Sequence, residues 1–207
     1  MSVENLKNGE SATISFLNNL RNKTAESHNG LEALPISKSI VDPKITIEEY
    51  ALYLNLMHDV VYQLEEEIYP ILSHLISDLI ERKKAQLILE DLKYIESDKK
   101  ETVYPFKNAS EISVPFAMGI MYVVEGSTLG GRFILKNIQE SLGFNEEKGA
   151  SYFAGYGNKT GSYWKNYLNA LTNFESETNS EAEIIAGADY AFQIIGKHLF
   201  ENSQPHL

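Results

Sequence analysis

The 207-residue chain has no cysteine, which removes disulfides, cysteine nucleophiles and thiolate metal ligands at once. A transition metal would need histidine or oxygen donors, and iron held by histidine stays open. Basic side chains are outnumbered: 18 Lys+Arg stand against 29 Asp+Glu, a net charge of -11, and a surface of that sign repels phosphate backbones and anionic lipid. Neither nucleic acid nor a membrane is an expected partner. No apolar run approaches the ~18 residues of a membrane span, and Met1 to Glu10 is polar, without an apolar signal core. The expected location is the cytoplasm. Phosphate loops and flavin or nicotinamide fingerprints are missing too. So are the alternating apolar–polar runs between turn residues that mark a sheet.

What is present is 43% hydrophobic residues, enough for one well-filled core in a chain of this size. Helical periodicity is nearly continuous and predicts an all-α, single-domain, multi-helix protein. Residues 1–10 are expected to form a flexible N-terminus, 11–202 the helical domain and 203–207 a tail. The first helix is expected over Ala12 to Leu34, because Leu17, Leu20, Thr24, His28 and Leu31 recur at three- and four-residue steps and Pro35 follows. Thr46, ahead of Glu48 and Glu49, marks the start of a second helix that carries an apolar stripe from Tyr50 to Tyr69, where Pro70 breaks or kinks it. Ile71 to Ile95 reads as further helix and Glu96 to Glu111 as loop. Ser113 to Leu142 is apolar and helical in period, stopped by Gly143. Helices over Gly161 to Phe174 and Ser180 to Glu201, joined by a polar linker at Glu175 to Asn179, complete the pattern.

The segment E-G-S-T-L-G-G-R, Glu125 to Arg132, is the least ordinary, since a glycine within a helix costs about 0.8 to 1 kcal/mol relative to alanine. Two explanations compete: backbone lying flat against a bulky planar ligand, with the Ser127 and Thr128 hydroxyls beside it, or close helix packing, as Gly126 and Gly130 share a face. His28 sits on the inward stripe of the first helix, where a neutral imidazole can ligate iron or can simply be a hydrogen-bonded core residue. Glu32, one turn on, is placed to hold the second ring nitrogen directly or through water. Arg21 lies two turns before His28, suited either to an anionic ligand edge or to covering apolar surface with its stem. His58, His74, His198 and His206 form no short metal-binding spacing. The acidic run Glu65 to Glu67 lacks the E-x-x-H partners of a dinuclear carboxylate site. Arg82, Lys83 and Lys84 read most simply as a solvated face, or else as a contact for an acidic redox protein. The aromatic cluster Tyr152, Phe153, Tyr156, Tyr163, Trp164 and Tyr167 is core packing or a set of hydroxyls that organise water, and Lys165 is a second candidate cation.

Over most of its length the chain resembles the heme oxygenases. L-R-N-K-T-A-E-S-H-N-G-L-E, Leu20 to Glu32, is similar to the family's proximal helix, and L-E-E-E-I, Leu64 to Ile68, and R-K-K-A-Q-L-I-L-E-D-L, Arg82 to Leu92, are similar to later helices. Y-V-V-E-G-S-T-L-G-G-R, Tyr122 to Arg132, resembles the glycine-kinked distal helix, and E-G-S-x-L-G-G together with G-Y-G before Trp164 is similar to bacterial members associated with phytochromes. The resemblance implies heme held between the two helices, with His28 as iron ligand, Arg21 and Lys165 on the propionates, Thr24 and Glu32 beside the ligand, and Gly126, Ser127, Gly130 and Gly131 shaping the distal side. It implies oxygen-dependent opening of heme, both substrate and cofactor, to biliverdin with release of iron and carbon monoxide. Electrons would come from an external ferredoxin or reductase, and a phytochrome is an expected biliverdin acceptor. Animal-type members carry aspartate at the Ser127 position, where it organises the water that delivers protons. A serine hydroxyl can hold water but supplies no charge.

Overall fold

The structure is a computed structural model that describes residues 3–204, with the side chains of residues 3–12 left aside. Among the described residues it is all helix and loop, the only β-type pairing being isolated bridges between Asn145 and Lys148 or Gly149. These residues form nine α-helices: α1 (Val3–Ala33), α2 (Pro35–Ser39), α3 (Ile47–Gln63), α4 (Tyr69–Leu72), α5 (Ala85–Tyr94), α6 (Val114–Leu142), α7 (Ser151–Ala154), α8 (Thr160–Thr178) and α9 (Glu181–Asn202).

Local chemistry explains most boundaries. α3 opens on a reciprocal capping box in which the Thr46 hydroxyl accepts from Glu49 N–H and the Glu49 carboxylate accepts from Thr46 N–H. Ser113 caps α6 and Pro115 sits in its first turn, while Gly143, at φ 78°, ends it in the left-handed region. Asn179 ends α8 the same way at φ 51°, so the expected linker 175–179 is helical as far as Thr178. α1 starts at Val3, earlier than the apolar stripe indicates.

The largest departure follows α3. Pro70 has no N–H to continue an α-helical ladder, and the chain prepares for it with a π-helical turn, Leu64–Ile68, that leads directly into α4. The expected helix over 71–95 is then interrupted: turns after Leu72 and a 3-10 turn at Ile80–Arg82 separate α4 from α5. Side chains seal this break. The buried Glu65 carboxylate accepts from the N–H groups of Lys84 and Ala85, the latter at 2.8 Å, and so caps α5 from another segment.

The core is centred on α9, which packs against both α1 and α6. Contacts with α1 include Ser27 to Asp189 and Asn19 to Glu181. Against α6 the crossing is backbone to backbone. A Cβ on Gly119 would lie 2.1 Å from the Ile184 carbonyl oxygen, and one on Gly187 would lie 2.1 Å from that of Phe116. Gly187→Ala is accordingly expected to destabilise the protein by about 2–3 kcal/mol through forced separation of the helices. At Gly196, where a Cβ would meet Leu31 at an ordinary 3.7 Å, alanine should stabilise by about 0.5–1 kcal/mol. Urea midpoints of the two variants check both signs.

Candidate functional site

α1 and α6 flank α9 with little direct packing against each other, which leaves a slot between them. At one end the Arg21 guanidinium lies beside the Tyr122 hydroxyl. At the other, the Asn137 amide on α6 donates to the carbonyls of Ile40 and Asp42, at 3.2 and 3.1 Å. His28 stands two turns beyond Arg21, and Gly126 and Gly130 stand one and two turns beyond Tyr122. By helical rise alone His28 lies about 10.5 Å beyond Arg21, and Gly126 and Gly130 about 6 and 12 Å beyond Tyr122.

The His28 side chain is 49% exposed, its Nε2 meets only Glu32 Oε1 at 3.4 Å, and its ring stands edge-on to Phe192 of α9 with centroids 5.2 Å apart. On α6 a Cβ at Gly130 would meet nothing within 4 Å, and the neighbouring Leu129 and Phe133 are 50% and 67% exposed. Large apolar side chains on an open face want a cover. Gly126 is different, for Trp164 of α8 closes to 3.4 Å from its would-be Cβ and shapes that end of the slot. Arg21 and Lys165 are exposed cations on α1 and α8, and Lys165 has no ion pair among the described residues. Thr24 is buried, its hydroxyl donating to the Leu20 carbonyl at 2.8 Å.

Gly131 faces away from the slot. A Cβ there would sit 2.7 Å from the Phe153 carbonyl oxygen, so this glycine admits α7 behind α6. Ser127 and Thr128 also turn to that side. With Tyr53, Met57, Lys84, Gly131, Tyr152 and others they line a cavity of about 60 Å³. Below it lies a buried charge network centred on Glu125. Arg82 Nη1 meets Glu125 Oε2 at 2.5 Å, Tyr156 donates to Glu125 Oε1 at 2.8 Å, and Lys84 Nζ lies 3.7 Å from Glu125 Oε1 and donates to the Tyr156 hydroxyl and the Arg82 carbonyl. Burial works against the Arg82 charge, but Asp78, bound through Nε and Nη2, and Glu125 hold its pKa above the ordinary value. This corrects the reading of Arg82 to Lys84 as a solvated or docking face: the Arg82 side chain is wholly buried, Lys84 nearly so, and only Lys83 faces solvent, 3.5 Å from Glu66. A three-residue run cannot report that a turn rather than a helix carries it, and the turn is what sends its ends inward. Sequence reasoning also missed Tyr53, Glu125, Tyr122 and Phe192 as site residues. Glu125 had a usable signal, a carboxylate at an inward position of an apolar helix.

The fold defined by these helices is shared with solved heme oxygenases. The heme oxygenase of Neisseria meningitidis, solved with NO and CO bound, superposes with a TM-score of 0.74 at 26% identity, over 90% of this chain and 91% of the other. The heme oxygenase of Leptospira interrogans gives 0.75 at 22% over 90% and 99%, and that of the cyanobacterium Synechocystis in complex with heme gives 0.72 at 18% over 91% and 92%. A sequence search of curated proteins finds no match. The family model for heme oxygenase matches residues 14–201. The chain belongs to the heme oxygenase family.

The other described histidines lie outside the slot, and His206 lies outside the described residues. His74 is exposed. His198 Nε2 is 3.2 Å from Asp59 Oδ2, and Lys99 Nζ is 3.0 Å from Asp59 Oδ1. His58 is buried, stacked on Tyr62 at 5.4 Å, with no partner for either ring nitrogen among the described residues. Burial, followed by the nearby Lys99 cation, lowers its pKa, and Asp59 only partly opposes them. A folded state that holds this imidazole neutral binds fewer protons than the unfolded chain, so the contribution is full above the unfolded pKa of about 6.5 and is lost as pH falls toward the folded value. Urea midpoints should drop between about pH 7.5 and about pH 5.5, and His58→Phe, which keeps the stacking on Tyr62, should flatten that slope. Equal slopes for the two proteins would refute the assignment.

Proposed function

We propose that the protein binds heme in the slot between α1 and α6 and opens it to biliverdin. The observation that carries this is a family match over residues 14–201 in a chain whose His28 is half-exposed, with Glu32 3.4 Å from its Nε2, and whose α6 has open space at Gly130. Bound heme supplies both the iron that activates oxygen and the ring that is cleaved, with iron and carbon monoxide released and electrons drawn from an external donor.

The chain's own groups do the rest. His28 holds the iron by one nitrogen, and Phe192 and Glu32 orient the ring. Arg21 and Lys165, both at solvent-exposed positions, pair with the propionates, and Tyr122 beside Arg21 adds a hydroxyl to that end. Thr24 packs beside His28 on the same stripe. Gly126 and Gly130 let backbone approach the opposite face, Leu129 and Phe133 cover the apolar macrocycle, and Gly131 lets α7 and the cavity wall close in behind. Ser127 donates its hydroxyl proton to the Val124 carbonyl at 2.7 Å and so offers only lone pairs to water.

A ferredoxin or reductase is the proposed donor, since the sequence has no flavin or nicotinamide fingerprint. Phytochrome is the proposed acceptor of biliverdin, on the likeness of E-G-S-x-L-G-G to phytochrome-associated members. Among the described residues no helix is long and apolar enough to cross a membrane. A second reading, heme binding without turnover, draws on Ser127 in place of the animal-type aspartate.

Heme titration followed by addition of a ferredoxin and its reductase separates the two. A Soret band that decays into biliverdin absorption supports turnover, and a stable one supports binding alone. His28→Ala should abolish the histidine-type spectrum with helical content intact, and an unchanged spectrum would refute the ligand assignment. Arg21→Ala should weaken heme binding about tenfold, roughly 1.4 kcal/mol.

A further inference from the structure

The segment Glu96 to Glu111, expected as loop, is fastened along its middle to α3. Three α3 side chains, each four residues from the next, hold its backbone. Asn55 accepts from Lys100 N–H at 2.8 Å, Asp59 from Val103 N–H at 3.2 Å and Gln63 from Phe106 N–H at 2.7 Å, and Gln63 donates back to the Phe106 carbonyl at 3.1 Å. Lys107 N–H then donates to the Tyr190 hydroxyl of α9 at 2.7 Å, so the segment straps α3 to α9. The middle rung carries charge: Asp59 Oδ1 lies 3.0 Å from Lys99 Nζ, and Asp59 Oδ2 lies 3.2 Å from Nε2 of the buried His198. Beside this rung stands His58, 3% exposed, with neither ring nitrogen partnered among the described residues. Its ring stacks on Tyr62, and Tyr62 meets Tyr104 of the strap with centroids 6.2 Å apart.

We infer that residues 98–107 form an acid-released strap between α3 and α9, held shut while the His58 ring is neutral and opened when that ring takes up a proton. The inference is independent of the heme reading of the slot, whose residues it does not use. The step is protonation alone: solvent supplies the proton, and the only covalent bond formed is N–H on the imidazole.

The groups around His58 give the direction. A proton on its ring would be buried without an acceptor and would face the Lys99 ammonium of the strap. The nearby anion, Asp59, is already shared among Lys99, Val103 N–H and His198. Burial and then Lys99 accordingly lower the His58 pKa in the closed strap, and Asp59 opposes them only in part. Opening the strap takes Lys99 away and admits water, which returns the ring to its ordinary value of about 6.5. Below that pH the open form binds the proton more readily than the closed form, so acid favours opening. His198 works in the opposite sense, since a proton there strengthens its pairing with Asp59 and holds the rung. The remaining titratable neighbours are Tyr62 and Tyr104, which stack, with Glu66 and Glu67 acting on Tyr104.

The test is amide hydrogen exchange of the full chain at about pH 7.5 and about pH 5.5, read as protection factors corrected for the pH dependence of intrinsic exchange. The Lys100, Val103 and Phe106 amides should lose protection together, roughly three- to tenfold, while amides of the buried residues Val124 in α6 and Ala191 in α9 stay more protected at both pH values. His58→Phe, which keeps the ring against Tyr62, should leave the strap equally protected at the two pH values. Lys99→Met, which removes the facing cation, should shrink the loss and decides the matter if His58→Phe fails to fold. Three results would each overturn the inference: strap protection that does not change with pH, a wild-type loss in folded His58→Phe, or in Lys99→Met where it is the deciding variant, and strap amides that exchange only together with Val124 and Ala191, as global unfolding requires.

Discussion

Where Gly119 of α6 meets Gly187 of α9, two helix backbones touch with no side chain between them. Every other spacing around the slot depends on this crossing. α1 is held to α9 by the Asn19 and Ser27 hydrogen bonds and α6 by the glycines, so the gap between α1 and α6 is fixed by a third helix that belongs to neither wall. A side chain at the crossing would push α6 outward by an appreciable part of the thickness of a flat ligand. Beyond the Arg21–Tyr122 contact, the separation of α1 and α6 follows from how each packs on α9.

The second constraint is electrostatic. Glu125, Arg82, Lys84, Asp78 and Tyr156 form a buried network directly behind the glycine helix, and such a network is costly to desolvate, often more so than an apolar core of the same volume. Its members are mutually satisfied: Arg82 reaches Asp78, Glu125 and the Tyr163 carbonyl, and Glu125 accepts from Arg82 and Tyr156. The position of the network explains its retention. It ties the Ile80–Arg82 turn, α6 and the segment after α7 together around one small cavity, and it places charge next to Ser127 without exposing it to solvent.

The helices were legible in sequence wherever a stripe, a cap and a stop coincided, as at Thr46, Ser113 and Gly143. They were illegible after Pro70, because the π-helical turn and the break before α5 are stabilised by tertiary bonds from Glu65 that no local pattern encodes. The slot residues His28, Arg21, Gly126 and Gly130 were visible, but periodicity left each of them balanced between packing and ligand. Their resemblance to one family, and then the geometry, gave the glycines separate roles. Gly130 is open, Gly126 lies under Trp164 and Gly131 lies against α7, with the close helix contact falling on Gly119 instead. The basic run was misread because burial of a charge depends on a partner 43 residues away.

Glu65 holds α5 by the backbone N–H groups of Lys84 and Ala85, and asks nothing of the Lys84 side chain. Arg82 is in the opposite situation, since its guanidinium is itself the fastening. Two neighbouring cations are thus held differently: the Arg82 guanidinium fastens the turn itself, whereas the start of α5 is fastened through the Lys84 and Ala85 backbone. The start of α5 is therefore pinned from α3's side of the fold, so α5 keeps its N-terminus whatever the Lys84 side chain does in the network around Glu125.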